Sequence, residues 1–344
     1  MTGMGRILIL RVAGGLLSSA AALAGPTAAL AWGATGHRLI GEAAMQMLPP
    51  DLPAFLRSPD AVQAVGEIAR EPDRSKGSGQ PHDHDLDPGH FLDLDDQGRV
   101  NGGPLLSAMP VDREAYDLAL QAVATDAYRS GYLPYNIEDG FEQVVKDLAY
   151  WRVETAALKS DASTDDRAWI ARDLQTRVGL TIRDIGYWAH FVGDASQPLH
   201  VSVHHNGWGA YPNPHGYSDD KLHAPFEGAF VHDHLTLASV EAAMRAPRPC
   251  APIADCTLAY LAATGAEVEP LYAMWGAGDF ARADPKAVAF ATARVAEGAA
   301  KLRDMVAAAW RASNSATVGY KPDIGVKAAE AGQPVPIGVF YGSD

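Results

Sequence analysis

Cysteine, basic charge and long apolar runs are all scarce in this chain, and each shortage excludes a class of protein. Only Cys250 and Cys256 occur among 344 residues, too few for a disulfide-stapled scaffold or a zinc site of four thiolates. Lys and Arg number 28 against 42 Asp and Glu, a formal charge of −14, which argues against holding nucleic acid by a broad basic face. No run of about 18 strongly apolar residues follows the N-terminal segment, so no membrane anchor is expected. β-alternation of useful length, internal repeats and Ser/Gly linkers are missing as well. Against these shortages stand 47% hydrophobic residues, enough for a core and incompatible with global disorder. Histidine is the unusual presence: twelve, all between His37 and His234.

The first 31 residues read as a leader and are set apart from the fold. Arg6 and Arg11 precede a mostly apolar stretch from Val12 to Leu23, and Ala29-Leu30-Ala31 satisfies a small-x-small cleavage rule. A second cut, after Ala22-Leu23-Ala24, is the alternative. Export to the periplasm or beyond is expected, and the oxidising environment there allows Cys250 and Cys256 to pair or to stay as two thiols.

The rest has helical periodicity nearly throughout, which predicts one all-α domain over residues 32–313. HRLIGEAAMQML from His37 places Ile40, Ala43 and Met47 on one face before Pro49-Pro50 ends the run. Further helices are predicted near 61–70, 112–130, 138–160, 165–195, 232–246, 256–276 and 285–312. In the last, Asp284 is the expected N-cap, Pro285 the first helical residue, and Val288, Val295, Leu302 and Ala309 a buried stripe. Two stretches, 71–111 and 196–231, are too long and too rich in His and acids for ordinary connections, so function is expected there. Residues 314–344 are expected to be an irregular tail.

His190 and Asp194 share one helix face at i, i+4 spacing, beside an apolar face of Ile182, Ile185, Ala189 and Val192. Inward-facing groups of this kind are costly unless paired or coordinated. Pro198 closes the helix, letting His200 turn back, and His223 and Glu227 repeat the spacing. Nitrogen and oxygen donors so arranged suit zinc in a water-accessible site. One such pair alone reads as a helix-surface interaction; two, with a third His/Asp-rich segment, do not.

On these residues the chain resembles the zinc-dependent phospholipase C and single-strand-specific nuclease superfamily of trinuclear zinc phosphoesterases. The resemblance rests on four blocks in order: Trp32-Gly-Ala-Thr-Gly-His37, Glu71-Pro-Asp73-Arg-Ser-Lys76, His90-Phe-Leu-Asp93, and His190-Phe-x-Gly-Asp194-x-x-Gln-Pro-Leu-His200 extended to His223 and Glu227. It implies three zinc ions: one on Asp73, His90, His190 and Asp194; one on His200, His223 and Glu227; one on His37, Asp194 and the amine and carbonyl of Trp32. The last requires cleavage after Ala31, since only a free α-amine, of reference pKa ~7.7–8.0, can coordinate. It also implies phosphodiester hydrolysis, with Asp73 as base and Lys76 as counter-charge. His82 and His84 compete with His90 as the ligand of their loop. His204, His205 and His215 are expected on the loop surface or pocket wall, while Trp208, Tyr211, Tyr217 and Phe226 either stack a substrate or anchor their loop.

Substrate assignment is divided. The Trp32-to-His37 spacing and Lys76 look like the nucleases, which favours single-stranded nucleic acid or nucleotides. Glu227 in place of Asp looks more like phospholipase C, whose substrate is a phospholipid headgroup at a membrane surface. The loop VSVHHNGWGAYPNPHGY departs from the nucleases' Gly-Gly-Asn pattern. A secreted, non-catalytic zinc-binding module is the alternative outside enzymology. No protein partner is inferred.

Overall fold

Helices form where the apolar periodicity places them, in a computed structural model that describes residues 32–159, 164–319, 324–336 and 338–341. The expected leader, residues 1–31, lies outside the described residues. In chain order the elements are α1 (Gly33–Gln46), α2 (Pro59–Ile68), α3 (Glu71–Ser75), α4 (His82–Leu86), α5 (Arg113–Gln121), α6 (Ala127–Ser130) and α7 (Leu133–Ala157). They continue as α8 (Thr164–Asp194), α9 (Val231–His234), α10 (Leu237–Ala243), α11 (Ile253–Gly265), α12 (Val268–Gly276) and α13 (Pro285–Ser313). The fold is all-α. Among the described residues no helix is long and apolar enough to cross a membrane.

Three predicted helices are divided, each by a local device. The run 112–130 breaks at Ala124, whose positive φ of 59° ends α5, and Asp126 then caps α6 by accepting from Arg129 N. The run 232–246 breaks where Thr236 and Ser239 form a reciprocal cap at the start of α10. The run 256–276 divides between α11 and α12, although Gly265 falls inside the periodic pattern. The two long stretches are not wholly irregular, since short helical turns, including a π-type turn at Pro225–Phe230, punctuate them. Cys250 and Cys256 are bonded just before and within the first turn of α11.

α7, α8 and α13 carry the core, with α1 and α2 packed across them. Asp284 caps α13 by accepting from Lys286 N. Val295, Leu302 and Ala309 are fully buried, while Val288 is only partly so. Each large aliphatic side chain so buried contributes about 1.5–3 kcal/mol. The tail, expected to be irregular, folds in part. β1 (Thr317–Val318) pairs antiparallel with β2 (Ile324–Gly325), and α14 (Val326–Glu330) sets Val326 and Ala329 against Ala149 and Val153 of α7. Arg152 ties it down through Glu330 at 2.7 Å. Elements this short leave too few residues to register a period.

One close approach sets the position of His37. α1 and α2 cross through facing glycines: a Cβ on Gly41 would lie 2.9 Å from Gly66 Cα and 3.1 Å from the Val65 carbonyl. That crossing places His37 of α1 beside the chain that leaves α2 toward Asp73. Gly41→Ala forces the backbones apart, and the expected loss of stability is about 1–3 kcal/mol. A lowered denaturant midpoint with an unchanged m-value would register it; an unchanged midpoint would contradict the tight crossing.

Candidate metal centre

The last turn of α8 is the hub. His190 Nε2 lies 3.2 Å from Asp194 Oδ2, and Asp194 Oδ1 lies 3.4 Å from His37 Nε2 of α1. The His37 and His190 rings stack at 3.9 Å. Asp73, from α3, brings Oδ1 to 3.8 Å from His190 Nε2 and 4.0 Å from His90 Nε2. On the other side His200 Nδ1 is 3.9 Å from Asp194 Oδ1. Its Nε2 is 3.7 Å from Glu227 Oε2, which lies 2.8 Å from His223 Nε2. Three groups could therefore hold metal ions: His37, His190 and Asp194; Asp73, His90 and His190; His200, His223 and Glu227.

Protein contacts alone do not satisfy these atoms. His90 Nε2, His190 Nε2, His200 Nε2, both Asp194 oxygens and Glu227 Oε1 are buried without a hydrogen-bond partner, and each such atom costs about 1–3 kcal/mol. The far side of the rings is fully committed. His190 Nδ1 donates to Ala69 O at 2.8 Å, His200 Nδ1 to His90 O at 2.7 Å, and His90 Nδ1 to Asp87 O at 3.1 Å. A carbonyl can only accept, so Nδ1 holds the proton and the Nε2 lone pair faces the cluster. Orphaned donor atoms aimed at shared points, with tautomers fixed for coordination, fit a set of cations.

Electrostatics agree. Burial, helped by the Lys76 charge, holds the His90 imidazole well below the usual histidine range, the neutral form that ligates. Burial would lower His200 too, but the Asp194 and Glu227 carboxylates outweigh it and raise the ring. Burial would raise Glu227, yet the charges of His223 and His200 bring it to about 2. Lys76 Nζ sits 2.9 Å from Asp73 Oδ1.

Several residues support the donors through contacts beyond the ligand and pocket-wall roles read from the sequence. Gln197 donates to Glu227 Oε2 at 3.0 Å while its oxygen accepts from Leu199 N at 2.7 Å; its place in Gln-Pro-Leu-His was the available clue. The buried Trp32 indole donates to Gly193 O at 2.9 Å and Ser196 Oγ at 2.8 Å, which pins the start of α1 beside Asp194. Asp93 and His205 face each other at 4.0 Å in the wall of a cleft of about 350 Å³ above the donors. Burial raises the Asp93 carboxyl to about 8, and burial with the neighbouring His223 lowers His205 to about 4.

The remaining candidates lie elsewhere. His84 is exposed beside Asp85 and Tyr128. His82, on α4, also falls outside the donor groups. His204, expected on the loop surface or pocket wall, is a buried residue in the wall of a second cavity: its ring stacks on Trp208 at 3.7 Å and Nε2 meets Asp96 at 2.9 Å. His215, His232 and His234 are exposed. Phe226 packs in the core 5.5 Å from Trp32, and Trp208 anchors its loop against Tyr217 and Tyr272. Tyr211 alone of the four loop aromatics is substantially exposed.

Gln197→Ala frees the Glu227 carboxylate and should weaken cation affinity about 10–100-fold, as chelator competition would read; an unchanged affinity would remove Gln197 from the centre. The raised His200 pKa predicts that a cation must displace a proton there. Affinity should then fall with falling pH, by about tenfold per pH unit for each proton displaced. Zinc titrations between about pH 6 and pH 8 check the sign; a flat profile contradicts it. Comparison of the chain with protein-family models, curated proteins and solved structures finds no match.

Proposed function

We propose that this chain is an exported zinc-dependent phosphodiesterase of the phospholipase C and single-strand-specific nuclease superfamily, acting on single-stranded DNA, RNA or nucleotides. The observation that carries the proposal is Asp194, a fully buried carboxylate with His190 at 3.2 Å from one oxygen and His37 at 3.4 Å from the other. A carboxylate so placed is suited to bridge two cations. Imidazole and carboxylate donors without thiolate fit zinc in sites that keep an open position. Asp73, His90, His190 and Asp194 would hold one ion; His200, His223 and Glu227 a second; His37, Asp194 and the Trp32 amine and carbonyl a third.

Bound zinc supplies Lewis acidity for a phosphate ester and a water pKa lowered toward ~7. The protein's part is positioning and proton handling. The backbone carbonyls of Ala69, Asp87 and His90 hold three imidazoles in the ligating tautomer. Asp73, beside His90 and His190, accepts the proton of the attacking water. Lys76, 2.9 Å from Asp73 and lining the cleft, offsets the charge that develops on the phosphate. Cleavage after Ala31 would free the Trp32 amine, and the indole's two hydrogen bonds would hold that terminus beside Asp194.

Glu227 favours a second reading, hydrolysis of a phospholipid headgroup. Zinc-loaded protein assayed on single-stranded DNA, RNA and phosphatidylcholine separates the two: polynucleotide cleavage is expected, and lipid turnover without it reverses the assignment. Zinc binding with no turnover on any of the three would leave a secreted binding module. Mass spectrometry of the exported protein should find Trp32 first. Asp194→Asn should lose the two ions it touches and nearly all activity, whereas full zinc occupancy with full activity would falsify the bridging role.

A further inference from the structure

We propose that Arg129 binds the phosphate next to the scissile one, so that the cleft accepts a chain of phosphodiesters in preference to an isolated headgroup. This role rests on the phosphodiesterase reading and narrows its substrate class to a polynucleotide.

Lys76 and Arg129 are the two Lys or Arg residues that line the cleft over the donor groups, and they differ in what they can still engage. Lys76 is 11% exposed and pairs with Asp73 at 2.9 Å, so its charge is neutralised at the floor. Arg129 is 69% exposed, and its contact with Asp126 is a long 4.0 Å from Nε to Oδ2. It therefore presents its guanidinium at the mouth of the cleft.

The base of this side chain is fixed although its tip is not. Asp126 Oδ1 accepts from Arg129 N at 2.9 Å, and Arg129 O accepts from Asn101 Nδ2 at 3.4 Å. The next residue, Ser130, accepts through its carbonyl from Asp93 N at 2.9 Å, and Gly131 bridges to Leu92. Arg129 is thus mounted on the backbone that pairs with the His90-to-Asp93 segment, at a constant offset from the donors. A guanidinium matches phosphate oxygens in a planar, bidentate fashion. The donor groups would take the scissile phosphate, and a substrate with one phosphate leaves Arg129 with only its long contact to Asp126. The following phosphate of a polynucleotide supplies one.

The test compares wild type, Arg129→Gln and Arg129→Lys as zinc-loaded protein. Binding of a fluorescein-labelled phosphorothioate oligothymidylate is followed by anisotropy over a range of salt. Arg129→Gln should weaken binding about tenfold and make the log–log salt slope shallower by roughly 0.7, the value for one lost contact on a single strand. Arg129→Lys should retain the slope, a distinction that a purely structural role would not produce. The ratio of kcat/KM for oligothymidylate to kcat/KM for a nitrophenyl ester of thymidine monophosphate should fall about tenfold in Arg129→Gln. If wild type cleaves oligothymidylate and Arg129→Gln keeps its slope and ratio, the side chain is only a solvated surface cation and the Arg129 role fails alone. If wild type turns over phosphatidylcholine and not oligothymidylate, the substrate class itself fails.

Discussion

A carboxylate with both oxygens buried and no hydrogen-bond donor is a constraint that the surrounding fold must answer, and Asp194 is that carboxylate. It ends α8, the longest helix, whose apolar face of Ile185, Ala189 and Val192 is fully buried. The helix cannot seat that face without carrying Asp194 inward. Burial of an unpaired charge would cost far more than the packing returns, so a compensating positive charge must be close. α1 brings His37 to it and the chain beyond α8 brings His200, while Asp73 of α3 adds a second carboxylate, itself paired with Lys76, and the cluster could hold metal ions. The facing glycines of α1 and α2 and the Trp32 hydrogen bonds to Gly193 and Ser196 serve the same end, bringing helix ends within reach of one point.

This local demand reverses the impression left by net charge. A formal charge of −14 speaks against broad gripping of duplex nucleic acid. Screening over ~8 Å at physiological salt makes the whole-molecule total irrelevant at the scale of a single phosphate. On the proposed function, what would matter there is the set of donors under the cleft, Lys76 bound to Asp73, and Arg129 in the cleft lining. On that reading, such a cleft would engage the scissile phosphate and its neighbour on a flexible chain and have little hold on a rigid duplex.

Much of this was legible in the residues. The i, i+4 pairs His190/Asp194 and His223/Glu227 depend only on helical geometry, which fixes side-chain neighbours within one segment. The α13 cap and the apolar faces of α8 and α13 follow from the same periodicity. Less legible were the points where helices stop. Ala124 carries no punctuation, and Gly265 is unremarkable inside its pattern. His204 was invisible as a buried residue because its partners, Asp96 and Trp208, come from a distant loop and from a non-helical turn. Gln197, Asp93 and His205 gain their roles only by facing residues brought in from other segments.

The division has a physical cause. By itself the sequence determined the all-α class, the helix faces, the donor types and their spacing within each segment, because these depend on covalent order and helical pitch. Tertiary structure decided which donors share a centre, which nitrogen of each histidine faces it, and which of the two cations lining the cleft is buried against a carboxylate and which is exposed. Those outcomes depend on how closely α1, α2 and α8 cross, on which backbone carbonyls reach Nδ1, and on burial. None of these is a property of any one segment.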